Sequence, residues 1–264
     1  MFDPMTLRPT VDVEPPAFHI LNPAGRARAL FVCDHASNAL PRDYGTLGIA
    51  PEKMFDHIAW DVGAAAVTRR LSARFDATAV LGGASRLFVD LNREPDDPSA
   101  IPEFSDGTVV PGNKDLSEGE RAWRFAWHRH YHNEIERQVL RHEVDGVPAM
   151  IYIHSFTPVI RGQARPWHLG VLHDGESAES LRLMEVLRAD TSLVVGDNQP
   201  YSIDKPMSHS VYRHAIRPGR PYVIIEIRQD LIQTETGAET WAEIVGDAFA
   251  EVFAPLRAFP AEAA

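Results

Sequence analysis

Four apolar runs in this chain end in residues that can do chemistry. Ala29-Leu30-Phe31-Val32-Cys33 leads to Asp34-His35, and Ile151-Tyr152-Ile153 leads to His154-Ser155. Tyr222-Val223-Ile224-Ile225 leads to Glu226-Ile227-Arg228, and Leu87-Phe88-Val89-Asp90-Leu91 leads to Asn92-Arg93. A buried strand that delivers such a side chain at its C-terminal edge is how an α/β protein presents a ligand or a base to a crevice. Two imidazoles, a carboxylate and a guanidinium placed in this way suit metal-assisted hydrolysis of an amide. An amide resists hydrolysis because water is a weak nucleophile and the amine a poor leaving group. A zinc ion polarises the carbonyl and lowers the pKa of water towards about 7. It needs about three protein ligands, an open position and a carboxylate base close by.

On these grounds His35 and His154 are the first two expected metal ligands. The third lies between Asp61, at the start of a predicted helix, and Asn38, three residues after His35. A carboxylate is the better zinc donor of the two. Glu226 is the expected general base, because an acid behind four apolar residues is costly to bury without a task or a partner. An ion pair with Arg228 or Arg213 is the competing reading. Arg86 and Arg93 flank an apolar run and suit a substrate carboxylate or a developing oxyanion, with Asn92 as a neutral donor beside them. His128, His130 and His132 share a predicted helix but lack the Glu of an HExxH motif. They are expected as one inward residue, His132, and two solvated ones. A seryl nucleophile, Ser155 or Ser37, is a rival that no GxSxG elbow supports.

Regular elements must hold these residues in place. Strands are predicted over 28–33, 78–81, 86–91, 150–153, 168–172, 192–195 and 222–227, with Gly82-Gly83 as the turn between the second and the third. Helices are predicted over 60–74, 117–141, 177–189 and 239–253. In the second of these, Ser117 suits the N-cap, and Ala122, Phe125, His132, Ile135 and Val139 form one face. Residues 94–115 read as a long loop, of a length more often functional than idle. Residues 1–24 read as an extended proline-rich arm, and 25–264 as one catalytic domain. Strands alternating with helices give an α/β fold, its sheet mostly parallel or mixed and covered on both faces.

Composition narrows the function classes. The 264 residues are 44% hydrophobic and 24% charged, as in ordinary globular proteins. No apolar run approaches the roughly 18 residues of a membrane span, and no basic-then-apolar leader opens the chain, so a secretory signal is not expected. The single cysteine, Cys33, excludes an intrachain disulfide and fits a cytoplasmic setting. A net charge of -11 without a basic block argues against a nucleic-acid partner. It leaves room for a small anionic substrate, which needs only one or two well-placed arginines.

Taken in order, Cys33-Asp34-His35-Ala36-Ser37-Asn38, Ser85-Arg86 with Val89-Asp90-Leu91-Asn92-Arg93, Ile153-His154-Ser155 and Ile225-Glu226-Ile227-Arg228 resemble the N-formylglutamate amidohydrolase family. Tyr131-His132 and Asn198-Gln199-Pro200-Tyr201 also look like family features. The resemblance implies a zinc-exopeptidase-like fold and hydrolysis of the amide of an N-acylated acidic amino acid. It is similar, at greater distance, to the zinc carboxypeptidases. From them it implies a zinc ligand at His154, a carboxylate grip at Asn92 with Arg93, and the base at Glu226. Ser155 and Tyr201 are implied as substrate contacts. The His-x-x-Glu element of carboxypeptidases stands here as His35-Ala36-Ser37-Asn38, so the carboxylate ligand is expected elsewhere, at Asp61. Two other readings stay open: an amidase for a different N-acyl amino acid or small peptide, and a metal-free binding module.

Overall fold

The computed structural model describes residues 14–144, 146–203 and 208–253. Its strands are β1 (Phe18–Leu21), β2 (Ala29–Cys33), β3 (Thr78–Gly82), β4 (Phe104–Ser105), β5 (Thr108–Val109), β6 (Ala149–Phe156), β7 (Val159–Ile160), β8 (Gln163–Ala164), β9 (Leu169–Leu172), β10 (Val195–Asp197) and β11 (Tyr222–Arg228). Its helices are α1 (Ala64–Phe75), α2 (Glu118–Glu143), α3 (Ala178–Ala189), α4 (His209–Val211), α5 (Gln229–Ile232) and α6 (Glu235–Val252). Seven strands form one mixed sheet in the order β1-β3-β2-β6-β11-β9-β10. The inner four, β3, β2, β6 and β11, are mutually parallel; β1 and β9 run antiparallel to their inner neighbours. The hairpins β4–β5 and β7–β8 stand apart from this sheet.

The central strands are apolar throughout because both faces are covered. Ala29, Phe31, Ile151, Ile153, Val223 and Ile225 pack under residues of α1, α3 and α6. The alternate residues Leu30, Val32, Met150, Tyr152 and Ile224 pack against Trp127, Tyr131, Ile135 and Val139 of α2. This is the period-two division of a sheet between two helical layers. The helices begin where the sequence supplies caps. Ser117 Oγ accepts from the Glu120 N–H at 3.2 Å ahead of α2, and Thr234 Oγ1 accepts from the Gly237 N–H at 3.1 Å ahead of α6.

Several expectations change. Residues 86–91 are not a strand. The Ser85 carbonyl accepts the Phe88 N–H at 2.9 Å and Ser85 Oγ accepts that of Leu87 at 3.2 Å, so the segment coils into turns instead of pairing. The edge of β3 is taken by β1, from the stretch read as an arm; residues 1–13 of that stretch lie outside the described residues. Gly83 makes that approach possible, since a Cβ there would lie 1.9 Å from the Pro16 carbonyl oxygen. The first predicted helix starts later, at Ala64, because Gly63 caps it with φ 83°. The last begins earlier, at Glu235, behind its threonine cap. The buried face of α2 is more polar than its apolar spacing suggests: Ala122 is exposed, while Arg124, His128 and His132 are buried.

Candidate active site

Sheet periodicity explains how the site comes together. His154 follows Met150 and Tyr152 on the α2 face of β6, and Glu226 follows Tyr222 and Ile224 on the same face of β11. The two strands are parallel and in register with Glu226 opposite His154. Asp34 and His35 leave the end of β2, the neighbour of β6 on the other side. The chain passes from β2 to β3 on one side and later returns to β6 on the other. The site therefore lies beyond the C-terminal strand ends at a point where the strand order reverses, the usual crevice of an open α/β sheet.

One carboxylate oxygen is the focus. Asp61 Oδ2 lies 2.8 Å from His154 Nδ1 and 3.3 Å from His35 Nδ1. One ligand atom from each of His35, Asp61 and His154 falls within 4.8 Å of the others, and all three residues are buried. The second nitrogen of each imidazole is backed by a further carboxylate: His35 Nε2 by Asp90 Oδ1 at 2.7 Å, and His154 Nε2 by Asp34 Oδ2 at 3.4 Å. Such carboxylate–histidine pairs are how proteins orient metal-binding imidazoles and raise their basicity. Asp61 is itself held: its backbone N–H donates to the His35 carbonyl at 2.9 Å, and Ser155 Oγ donates to the Val62 carbonyl at 2.9 Å. Two nitrogens and an oxygen in a closed triangle, with the fourth side open to a cleft, are the donor set of a catalytic zinc site. The residues fit the ion.

The electrostatics agree. Burial alone would raise the Asp61 carboxyl, but His35 and His154 hold it below the usual carboxylate range. Burial likewise opposes protonation of His154, yet Asp34 and Asp61 raise it well above the ordinary histidine value. His35 is raised too, with burial and Arg86 opposing and Asp90 and Asp61 prevailing. Glu226 differs: burial pushes it up to about 7, with the Asp61 charge adding to the shift and His154, His35 and Arg86 opposing it. Its Oε2 has no hydrogen-bond partner among the described residues.

A cleft of about 130 Å³ opens over these groups, lined by His35, Asp61, Arg86, Arg93, His154, Ser155, Tyr201 and Glu226 among others. Arg86 is anchored by Asp90 Oδ2, at 3.2 Å from Nε and 3.0 Å from Nη2, and by Asp61 Oδ1 at 3.3 Å. Tyr201 accepts a hydrogen bond from Arg165 Nη1 at 3.0 Å. Its loop reaches the cleft over Gly170, the residue opposite Glu226 on β9, where a Cβ would lie 1.7 Å from the Gln199 carbonyl oxygen. Asn92 does not line the cleft; its Oδ1 accepts the Ser210 N–H at 3.0 Å. Asn38 donates to the Met54 carbonyl at 2.8 Å, away from the triangle, which leaves Asp61 as the third ligand the geometry favours. Arg228 pairs with Asp230 at 2.8 Å, not with Glu226. Ser37 Oγ accepts the Ala39 N–H, and neither it nor Ser155 Oγ contacts an imidazole among the described hydrogen bonds, so no base activates either hydroxyl.

Two functional carboxylates escaped the sequence reading. Asp34 and Asp90 each follow buried apolar residues, the same signal that singled out Glu226. His128, expected in solvent, is 1% exposed, because the Leu91–Arg93 turn and His209 cover it.

Residues 27–233 match the family model described as N-formylglutamate amidohydrolase. The chain is similar to a gene product of Agrobacterium tumefaciens, Atu2144, whose crystal structure has a TM-score of 0.81 at 38% identity, covering 90% of this chain and 96% of that one. It shares its fold with an N-formylglutamate amidohydrolase from Ralstonia eutropha, with a TM-score of 0.62 at 19% identity, covering 91% of this chain and 97% of that one. No curated protein matches the chain significantly.

Proposed function

Because the chain belongs to the N-formylglutamate amidohydrolase family, we propose that it hydrolyses the amide of an N-acylated acidic amino acid such as N-formylglutamate, with a zinc ion held by His35, Asp61 and His154. The observation that carries this reading is the single Asp61 oxygen meeting both imidazoles, each backed by its own carboxylate.

Zinc, when bound, supplies polarisation of the scissile carbonyl and a more acidic water. The side chains do the rest. Glu226, poised near neutrality, takes the proton of the attacking water and returns it to the amide nitrogen as the C–N bond breaks, releasing the acyl acid and the free amino acid. Arg93 grips the substrate carboxylate from the cleft wall, and Arg86, locked on Asp90 and Asp61, faces the developing oxyanion. Tyr201, whose oxygen already accepts from Arg165, retains its O–H to donate to substrate. Ser155, whose proton goes to Val62, can only accept, from a substrate N–H. Asn92 acts through the turn it shapes.

The test is metal content with turnover, for the wild type and His154→Ala. Near-stoichiometric zinc in the wild type, lost together with hydrolysis of N-formylglutamate in the variant, is expected. Full activity in metal-free protein would overturn the reading. Turnover confined to other N-acyl amino acids would retain the site and replace the substrate.

A further inference from the structure

The carbonyls of Leu91 and Arg93, on either side of Asn92, accept from the rings of buried histidines. The Leu91 oxygen accepts from His132 Nε2 at 2.8 Å, and the Arg93 oxygen accepts from His128 Nε2 at 3.0 Å. Between them, the Asn92 oxygen accepts from Arg93 Nη1 at 3.1 Å and from the backbone N–H of His209 at 3.4 Å, and Asn92 Oδ1 accepts that of Ser210. The rings pack on one another, with centroids 4.3 Å apart for His128 and His132, 4.7 Å for His132 and His209, and 5.1 Å for His128 and His209. His214 closes the stack behind His132, 5.2 Å away.

The protonation states follow from the partners. A carbonyl only accepts, so His128 and His132 each carry hydrogen on Nε2. Burial pushes His128 down to about 4, with the neighbouring His209 adding to the effect, and holds His132 well below the ordinary value. Both rings are therefore neutral, and His132 Nδ1 lies 2.9 Å from His214 Nε2, whose other ring nitrogen lies 3.4 Å from Glu136 Oε2. One nitrogen each from His128, His132 and His209 lies within 4.8 Å of the others, which invites comparison with a metal site. His132 has both nitrogens engaged, by the Leu91 carbonyl and by His214, while His128 Nδ1 and both His209 ring nitrogens have no hydrogen-bond partner among the described residues.

We propose that His128 and His132, with the His209–Ser210 backbone, form a neutral imidazole platform whose task is to fix the Leu91–Arg93 turn and so set the Arg93 guanidinium in the cleft. A lysine or arginine could hold the same carbonyls, but would place a positive charge beneath Arg93 and compete for the substrate carboxylate. Neutral imidazole supplies a rigid N–H donor without that charge. The same two stretches also hold the metal site: Tyr131 and Ser210 both donate to Asp34 Oδ1, at 2.8 and 2.5 Å, behind His154. One platform thus ties the substrate grip to the ligand shell. His128 and His132 are positioning residues. The inference rests on the reading of Arg93 as the carboxylate grip.

The experiment compares His128→Leu, His128→Gln and Arg93→Ala, and the Leu/Ala double variant, in the zinc-loaded protein with N-formylglutamate. It measures KM and kcat, or Kd by calorimetry if turnover is lacking, with thermal unfolding as the check on folding. His128→Leu removes a buried donor and should raise KM about tenfold, with kcat within about twofold. Glutamine, which places a donor near the same point, should restore most of the loss. On the Arg93→Ala background the leucine change should add little, because the group it positions is gone. If His128→Leu does not fold, His128→Asn keeps a polar group that cannot reach the Arg93 carbonyl, and the same KM rise is expected. A KM unmoved by Arg93→Ala would sink the carboxylate-grip reading itself. A KM raised by Arg93→Ala but not by His128→Leu, or additive effects of the two, would sink the platform alone. A second zinc equivalent, lost in His128→Gln, would show a metal cluster in its place.

Discussion

Glu226 and the two imidazoles beside it behave as their surroundings dictate. A carboxyl with one oxygen unpartnered, raised to about 7 by burial, is suited to receive and return a proton near neutral pH. Glu226→Gln keeps the shape and removes the proton carrier, so kcat should fall by about 10²–10⁴-fold. KM and zinc content should stay close to wild type; a variant that kept its kcat would remove Glu226 from the mechanism. His35 and His154 are both raised above the ordinary value, so zinc binding there as proposed would compete with protons. Zinc affinity should therefore fall as pH drops below their raised values and level off above them. Calorimetry in buffers of different ionisation enthalpy should show proton release on binding; affinity independent of pH from 5 to 8 would contradict the assignment.

At the scale of elements, the site depends on how closely loops can approach strand ends. Gly170 on β9 is the clearest case. Its missing side chain lets the 198–201 loop lie against the sheet opposite Glu226 and bring Tyr201 to the cleft. A methyl group there meets a backbone oxygen, which cannot swing aside as a side-chain tip can. Gly170→Ala should displace the loop and cost about 1–3 kcal/mol of stability, the usual penalty of overpacking. It should also raise KM more than an equally destabilising change remote from the cleft. Denaturant unfolding beside steady-state kinetics would check both, and a silent variant would show that the loop does not serve the site.

Across the whole molecule, overall charge and the charge of the cleft are set separately. The chain carries a net charge of -11, yet Arg86 and Arg93 line the cleft beside Asp61 and Glu226, so an anionic substrate would be recognised by local groups and not by the overall charge. The proposed ligands come from the end of β2, the approach to α1 and the C-terminal part of β6, so a zinc ion held by them would clamp distant parts of the fold. Zinc at about 100 times its Kd would add about 2.7 kcal/mol of stability. Stripping it with a chelator should lower Tm by about 5–10 °C for a chain of this size. An unchanged Tm would mean that no metal bridges these elements. Much of this design is legible in the sequence. Apolar runs leading to His35, His154 and Glu226 specify buried strands and what they deliver, because a strand covered on both faces has room for a polar group only towards the end that opens on the crevice. The same local pattern misleads at 86–91, where apolar residues are buried by turns, and at 18–21, where a strand is made by the free edge of β3 and not by its own pattern. Nor could spacing choose Asp61 over Asn38, or reveal Asp34 and Asp90 behind the imidazoles and His128 beneath Arg93. Those are contacts between residues 16 to 120 positions apart, decided only when the sheet order brings their strands and loops together.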